Sequence, residues 1–228
     1  MSDAPLSLVI FDVDGTLVDS QGDILAAMAA AFEAVGQPLP QRAELLGIVG
    51  LSLDVAMARL VPALEAVDHE RMVGAYKAAY MDLRATAGVA QSSPLYPGAL
   101  AALQLLHDRD DVLLGIATGK SKRGLDKLIE GHGLEGMFQT LQCADFHPSK
   151  PHPSMLLAAL SETGIAAERA VMVGDTSFDM DMAHAAGIAG VGVGWGYHDR
   201  QRLTRAGQVI DSFDALPAAL DLIWGVAA

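Results

Sequence analysis

The segment Ile10-Phe11-Asp12-Val13-Asp14-Gly15-Thr16-Leu17 closes a short apolar run, Leu6 to Phe11, that predicts a buried strand. Two carboxylates at i and i+2 then share one face at the strand's carboxyl end. Gly15 lets the chain turn directly after them. Open α/β sheets gather their chemistry at that edge. Such a pair suits a hard cation and acid–base or nucleophilic work by carboxylates. By itself the segment reads equally well as a strand closed by an Asx-type turn. What the other strand ends carry decides between the two.

Downstream of Pro94-Leu95-Tyr96-Pro97-Gly98, strand and helix patterns alternate. Strands are expected at Val112 to Ala117, Thr140 to Cys143, Ala170 to Val173, Ile188 to Val193 and Val209-Ile210, with helices between and after them. Alternation of this kind builds a parallel sheet covered by helices on both faces. Between Ser20 and Ser93 no strand pattern occurs. Helices are expected there from an Asp19 or Ser20 cap to Gly36, from about Ser52 toward Pro62, and from an Asp68 cap through Leu83. The fold class is therefore α/β: a Rossmann-like doubly wound parallel sheet with an inserted α-helical cap. Residues 1–19 and 94–228 form the core and 20–93 the cap.

The 228 residues are 51% hydrophobic, enough for a sizeable core. A formal net charge of −13 argues against nucleic acid and anionic membrane surfaces as partners, while leaving room for a local anion site. The lone Cys143 allows no internal disulfide. No run approaches a membrane span, and the start lacks the basic region of a signal peptide. The expectation is a soluble cytoplasmic protein.

Three later strand ends carry polar groups. Thr118-Gly119, between a strand and a helix start, offers a hydroxyl and free N–H groups to an anion such as phosphate. Lys150, flanked by Pro148 and Pro151, holds an ammonium on a stiff backbone. Gly174-Asp175 and Asp179 bring two more acids, with Asp175 or Ser177 as helix cap and Asp181 on a solvated face. Converging on one edge, Asp12, Asp14, Asp175 and Asp179 would repel one another unless a divalent cation and Lys150 compensate. Carboxylates plus substrate phosphate point to Mg²⁺.

With these residues in this order, the chain resembles the haloacid dehalogenase-like superfamily, in its phosphatase branch. Asp12-Val13-Asp14-Gly15-Thr16, Thr118-Gly119, Lys150, and Gly174-Asp175 with Asp179 match its four motifs. Thr118 follows Asp12 by 106 residues and Lys150 follows Thr118 by 32, which places the insertion between the first two motifs. Phosphoglycolate phosphatase-like and β-phosphoglucomutase-like members are built that way. The resemblance implies a phosphatase acting on a small phosphorylated metabolite through an aspartyl phosphate. Asp12 would be the nucleophile and Asp14 the acid and base. Thr118 and Gly119 would bind the phosphoryl group. Lys150 would balance charge on Asp12 and the phosphate, oriented by Asp179. Mg²⁺ would be held by Asp12, Asp175 and the Asp14 carbonyl. A phosphosugar mutase of the same family remains an alternative, as does a phospho-accepting signalling domain from another class. Asp14 speaks against dehalogenation, and the late position of Lys77 against a Schiff-base phosphonate hydrolase. The stretch from Arg42 to Ser52, with Gly47 and Gly50, is expected to form a substrate loop. Gly190 to Gly196 does not fit the dinucleotide fingerprint, and the seven histidines show no metal-ligand spacing. The expected assembly is a monomer or homodimer.

Overall fold

The structure is a computed structural model that describes residues 5–225. Strand β1 (Ser7–Phe11) is buried along its whole length, as a central parallel strand must be when helices cover both faces. The chain then leaves the sheet for five helices. They are α1 (Gln21–Ala34), α2 (Arg42–Leu46), α3 (Leu53–Leu60), α4 (Ala66–Ala87) and α5 (Val89–Ser92). It returns through α6 (Ala99–His107), β2 (Val112–Thr118), α7 (Lys122–His132), β3 (Thr140–Cys143) and α8 (Ser154–Thr163). It finishes with β4 (Ala170–Gly174), α9 (Ser177–Ala185), β5 (Ala189–Val193), β6 (Gln208–Ile210) and α10 (Leu216–Trp224).

The sheet is parallel throughout, in the order β3-β2-β1-β4-β5-β6. The chain steps outward from β1 to β3, then crosses back to lay β4 on the other side of β1. Strand order reverses there, and open α/β sheets bind ligands in the crevice at such a point. Phe11 pairs with Ile116 and with Val173, so the three strands end within two residues of one another. That register brings Asp12, Thr118 and Asp175 to one edge.

Period-two alternation divides the core. Val9 and Phe11 face a layer holding Leu103 and Leu106 of α6, Leu125 and Leu128 of α7, and Leu216 and Leu220 of α10. Leu8 and Ile10 face the opposite layer, with Met155 and Leu156 of α8 and Met182 of α9. The helical block has its own apolar cluster, built on Ile24, Met28, Phe32, Leu45, Met57 and Met72. Phe178, at the start of α9, joins that cluster and fastens the block to the sheet.

Several local expectations are corrected. The expected Arg42–Ser52 loop begins instead with α2, whose Gln41 and Glu44 form a capping box. Ser20 flanks α1 without a side-chain cap bond, because its hydroxyl is engaged by Asp14. The long helix starts at Ala66, ahead of Asp68. Thr176, rather than Asp175 or Ser177, caps α9, with Asp179 returning the bond. Asp175 is unavailable because its oxygens are bonded elsewhere.

Leu103 is fully buried between α6 and the sheet. Leu103→Ala is expected to cost about 2–5 kcal/mol, read as a lowered midpoint in denaturant unfolding.

Candidate active site

The carboxyl edge of β1 holds a buried charge cluster. The ammonium of Lys150 lies 2.8 Å from Asp12 Oδ1 and 2.6 Å from Asp179 Oδ1, with all three side chains essentially without solvent exposure. The other Asp179 oxygen, Oδ2, accepts from the Thr176 N–H at 3.0 Å and the Thr176 hydroxyl at 2.7 Å. Asp179 is thus locked by its own helix cap and presents one oxygen to Lys150. Asp175, directly after β4, accepts from the Thr16 hydroxyl at 3.1 Å and the Tyr197 N–H at 2.8 Å. Gly15 has φ 86°, and a side chain there would run into the Asp175 carboxylate. The turn after Asp14 needs glycine for both reasons.

Carboxylate oxygens of Asp12, Asp175 and Asp179 lie within 4.8 Å of one another. Burial pushes the Asp12 carboxyl up to about 7, with Lys150 pulling the other way. Burial, then repulsion from Asp179 and Asp12, holds Asp175 well above the usual carboxylate range. Burial alone would lower Lys150, but Asp12 and Asp179 outweigh it and keep the ammonium charged. One lysine does not neutralise three acids. Both Asp12 oxygens are buried, yet neither accepts an aligned hydrogen bond among the described residues. Oδ1 has only the Lys150 ion pair and Oδ2 has no partner among them, and such a buried carboxylate beside a second acid fits a hard divalent cation.

Above the cluster opens a cavity of about 800 Å³, lined by Asp12, Asp14, Thr118 and Gly119 and by residues of α1, α3 and α4. Lys150, Asp175 and Asp179 are not among its lining residues; Lys150 and Asp179 back Asp12 from the protein interior. A Cβ on Gly119 would come 2.7 Å from the Gly50 and Leu51 carbonyl oxygens, so the Gly47–Ser52 segment passes directly over the strand end. Ser52 N–H donates to the Ser149 hydroxyl at 2.9 Å, a second tie across the same gap.

All seven site residues expected from the sequence therefore meet at one edge. The Asp14 carboxylate faces away from the acidic cluster. Its Oδ1 accepts from the Lys120 ammonium at 2.7 Å and from the Ser20 hydroxyl. Lys120, Ser20, Thr16, Thr176 and Tyr197 escaped the sequence reading. Thr16 closes the first motif, Ser20 lies four residues past it and Lys120 lies two residues past Thr118, so proximity to motifs was a usable signal. Tyr197, whose hydroxyl donates toward or accepts from Ser20 across 3.3 Å, carried none. His198, whose placement the sequence left open, is buried. Its Nδ1 accepts from the Ser177 N–H at 3.0 Å and its Nε2 faces the Gly47 carbonyl at 3.0 Å. Among the described residues no helix is long and apolar enough to cross a membrane.

Carboxylates, a hydroxyl-glycine turn and a buried lysine at the switch point of a parallel sheet define an enzyme of the phosphate-ester hydrolase class. The chain belongs to the haloacid dehalogenase-like hydrolase family, whose sequence model matches residues 9–193. It is 35% identical over 93% of its length to a probable phosphatase, IndB, of Dickeya dadantii, of which it covers 92%. It is 32% identical to a phosphoglycolate phosphatase of Mesorhizobium japonicum, over 93% of this chain and 94% of that protein. Among solved structures, a hydrolase from Pseudomonas syringae superposes with a TM-score of 0.83 at 26% identity, over 97% of this chain and 100% of that one. A β-phosphoglucomutase from Clostridium difficile shares the fold, with a TM-score of 0.81 at 19% identity over 96% and 97% of the two chains. The family and these relatives make the protein a phosphatase-type enzyme, similar in sequence to proteins named phosphoglycolate phosphatase.

The raised carboxyls have a consequence for stability. Unfolded, Asp12 gives up its proton near 3.8; folded, it and Asp175 hold theirs to higher pH. The folded state then binds more protons, so these groups lower stability as pH rises from about 4 through 7. A divalent cation competes with those protons. Added MgCl₂ is therefore expected to raise Tm more at pH 8 than at pH 5, in thermal scans referenced to chelator. An equal shift at both would contradict this account.

Proposed function

We propose that the protein hydrolyses a small phosphomonoester, with Mg²⁺, through a phosphorylated Asp12. The observation that carries this reading is the buried Asp12 carboxylate at the floor of a cavity, held by Lys150 at Oδ1 with Oδ2 left free, with Thr118 and Gly119 beside it and Asp14 two residues on. A carboxylate oxygen that is buried and unbonded, as Asp12 Oδ2 is, is poorly solvated and hence a better nucleophile than one in water.

Asp12, Asp175 and the Asp14 backbone carbonyl would hold the ion, which when bound supplies positive charge against the phosphoryl oxygens. The chain's own groups do the rest. The Thr118 hydroxyl and Gly119 N–H orient the phosphoryl group for attack by an Asp12 oxygen. Phosphorus bonds to Asp12 as its bond to the ester oxygen breaks. That oxygen takes a proton from the Asp14 carboxyl. Asp14, now ionised, accepts a proton from water as that water attacks phosphorus, which releases phosphate and restores Asp12. Lys150 keeps Asp12 ionised and offsets the charge gathering there. Asp179, fixed by Thr176, keeps Lys150 in place.

Residues 20–93 act in this reading as a cap over residues 1–19 and 94–228. The substrate is a phosphorylated metabolite small enough to enter beneath it. The relatives named phosphoglycolate phosphatase make phosphoglycolate the first compound to try.

Purified protein is expected to turn over p-nitrophenyl phosphate with MgCl₂ and to stop in chelator. Asp12→Asn is expected to lower kcat at least about 10³-fold. Turnover that ignores Mg²⁺, or that survives in Asp12→Asn, would refute the mechanism. A panel of phosphoglycolate, sugar phosphates and nucleotides then ranks substrates by kcat/KM.

A further inference from the structure

Asp14 is gripped from one side by a residue that the four motifs do not include. Lys120 sits on the turn after β2, where its N–H donates to the Thr118 hydroxyl at 3.2 Å. Its ammonium reaches Asp14 Oδ1 at 2.7 Å, with side-chain exposures of 9% and 13% for the pair. A wholly exposed pair would count for little; this one is nearly closed off. The same ammonium donates to the Tyr80 hydroxyl at 3.2 Å and lies 5.2 Å from the centre of the Tyr80 ring.

Tyr80 belongs to α4, in the helical block. It stacks on Tyr76 one turn earlier, with ring centres 5.7 Å apart. One turn later Arg84 covers Tyr80 at 4.8 Å and donates to the Gly124 carbonyl and the Ser93 hydroxyl, both at 3.3 Å. Tyr80 and Arg84, one turn apart, thus both reach the core, and Tyr80 meets the lysine that meets Asp14. A lysine has four rotatable bonds and needs a second anchor to hold one geometry. Tyr80 provides that anchor only while α4 rests on the core.

We propose that Lys120, held by Tyr80, is a positioning residue for Asp14, aiming its carboxyl at the leaving-group oxygen when the helical block is seated. The proposal rests on the phosphatase reading above, since it takes Asp14 as the proton donor.

The test compares kcat/KM for two substrates in Lys120→Met and Tyr80→Phe. p-Nitrophenolate leaves without a proton. The glycerol of β-glycerophosphate needs one, and it carries no charge for Lys120 to bind. General acids contribute about 10²–10⁴, so a misaimed Asp14 is expected to lower the β-glycerophosphate to p-nitrophenyl phosphate ratio about tenfold or more in Lys120→Met. Tyr80→Phe keeps the ring and loses the hydroxyl, and is expected to lower the ratio about threefold. A purely structural role would lower both substrates together. An unchanged ratio in either folded variant overturns the proposal, and Tyr80→Phe alone decides if Lys120→Met does not fold. Wild-type turnover lost in Asp12→Asn, together with an unchanged ratio, sinks this inference alone. Absence of wild-type turnover sinks the phosphatase reading and this inference with it.

Discussion

The structure depends on one buried ammonium between two carboxylates. Lys150 touches Asp12 and Asp179 in a place without solvent, where an unpaired charge would cost several kcal/mol. Geometry elsewhere serves that contact. The parallel register ends β1 and β4 nearly level, and the Thr176 cap turns Asp179 back toward the sheet. Gly15 clears the space that Asp175 fills. Even so, the lysine leaves the acids under-compensated, and the raised Asp12 and Asp175 carboxyls express that deficit. In the proposed reading a cation would relieve that deficit and offset the charge of an anionic substrate.

Sheet and site were legible in the sequence for the same physical reason. A buried parallel strand is a near-continuous apolar run, so the first polar residue after it marks the catalytic edge. Asp12, Thr118 and Asp175 each announce themselves this way. Lys150 does not; its flanking prolines and the surplus of acids suggested a role for it, and the order of motifs strengthened that role. What escaped the reading lies in contacts between distant elements. Lys120 and Tyr80 are forty residues apart, and their meeting depends on how α4 docks. The Thr176 cap was missed because Asp175 and Ser177 are equally good capping residues by type. Only the competing bonds of Asp175 settle the choice. The helix α2 was missed because five residues show too little periodicity to read.

The helical block touches the chemistry at several points. Its Gly47–Ser52 segment passes over Gly119, Ser20 holds Asp14 from the chain leaving β1, and α4 bears on Lys120. His198, through Gly47, adds a tie between the block and the loop that carries Tyr197. Burial pulls His198 below its ordinary range, so it is neutral and can accept from Ser177 while donating to Gly47. A movement of the block would therefore bear on the Asp14 carboxyl, while the Asp12–Lys150–Asp179 ion pairs lie within the core.

This arrangement also reconciles an acidic chain with an anionic substrate. The whole sequence has 15 lysines and arginines against 28 acids. Around the cavity the balance reverses: Lys77, Arg84, Lys120, Arg123 and Lys127 face Asp12, Asp14, Asp54 and Asp145. Fields in a cleft follow the local charges more than the total, and a bound divalent ion would tip the balance further. In the proposed reading a negative exterior would disfavour polyanions, while a compact phosphate entering beneath α4 would meet cations. On that reading, selection between large and small anions would begin outside the active site, before any contact with Asp12.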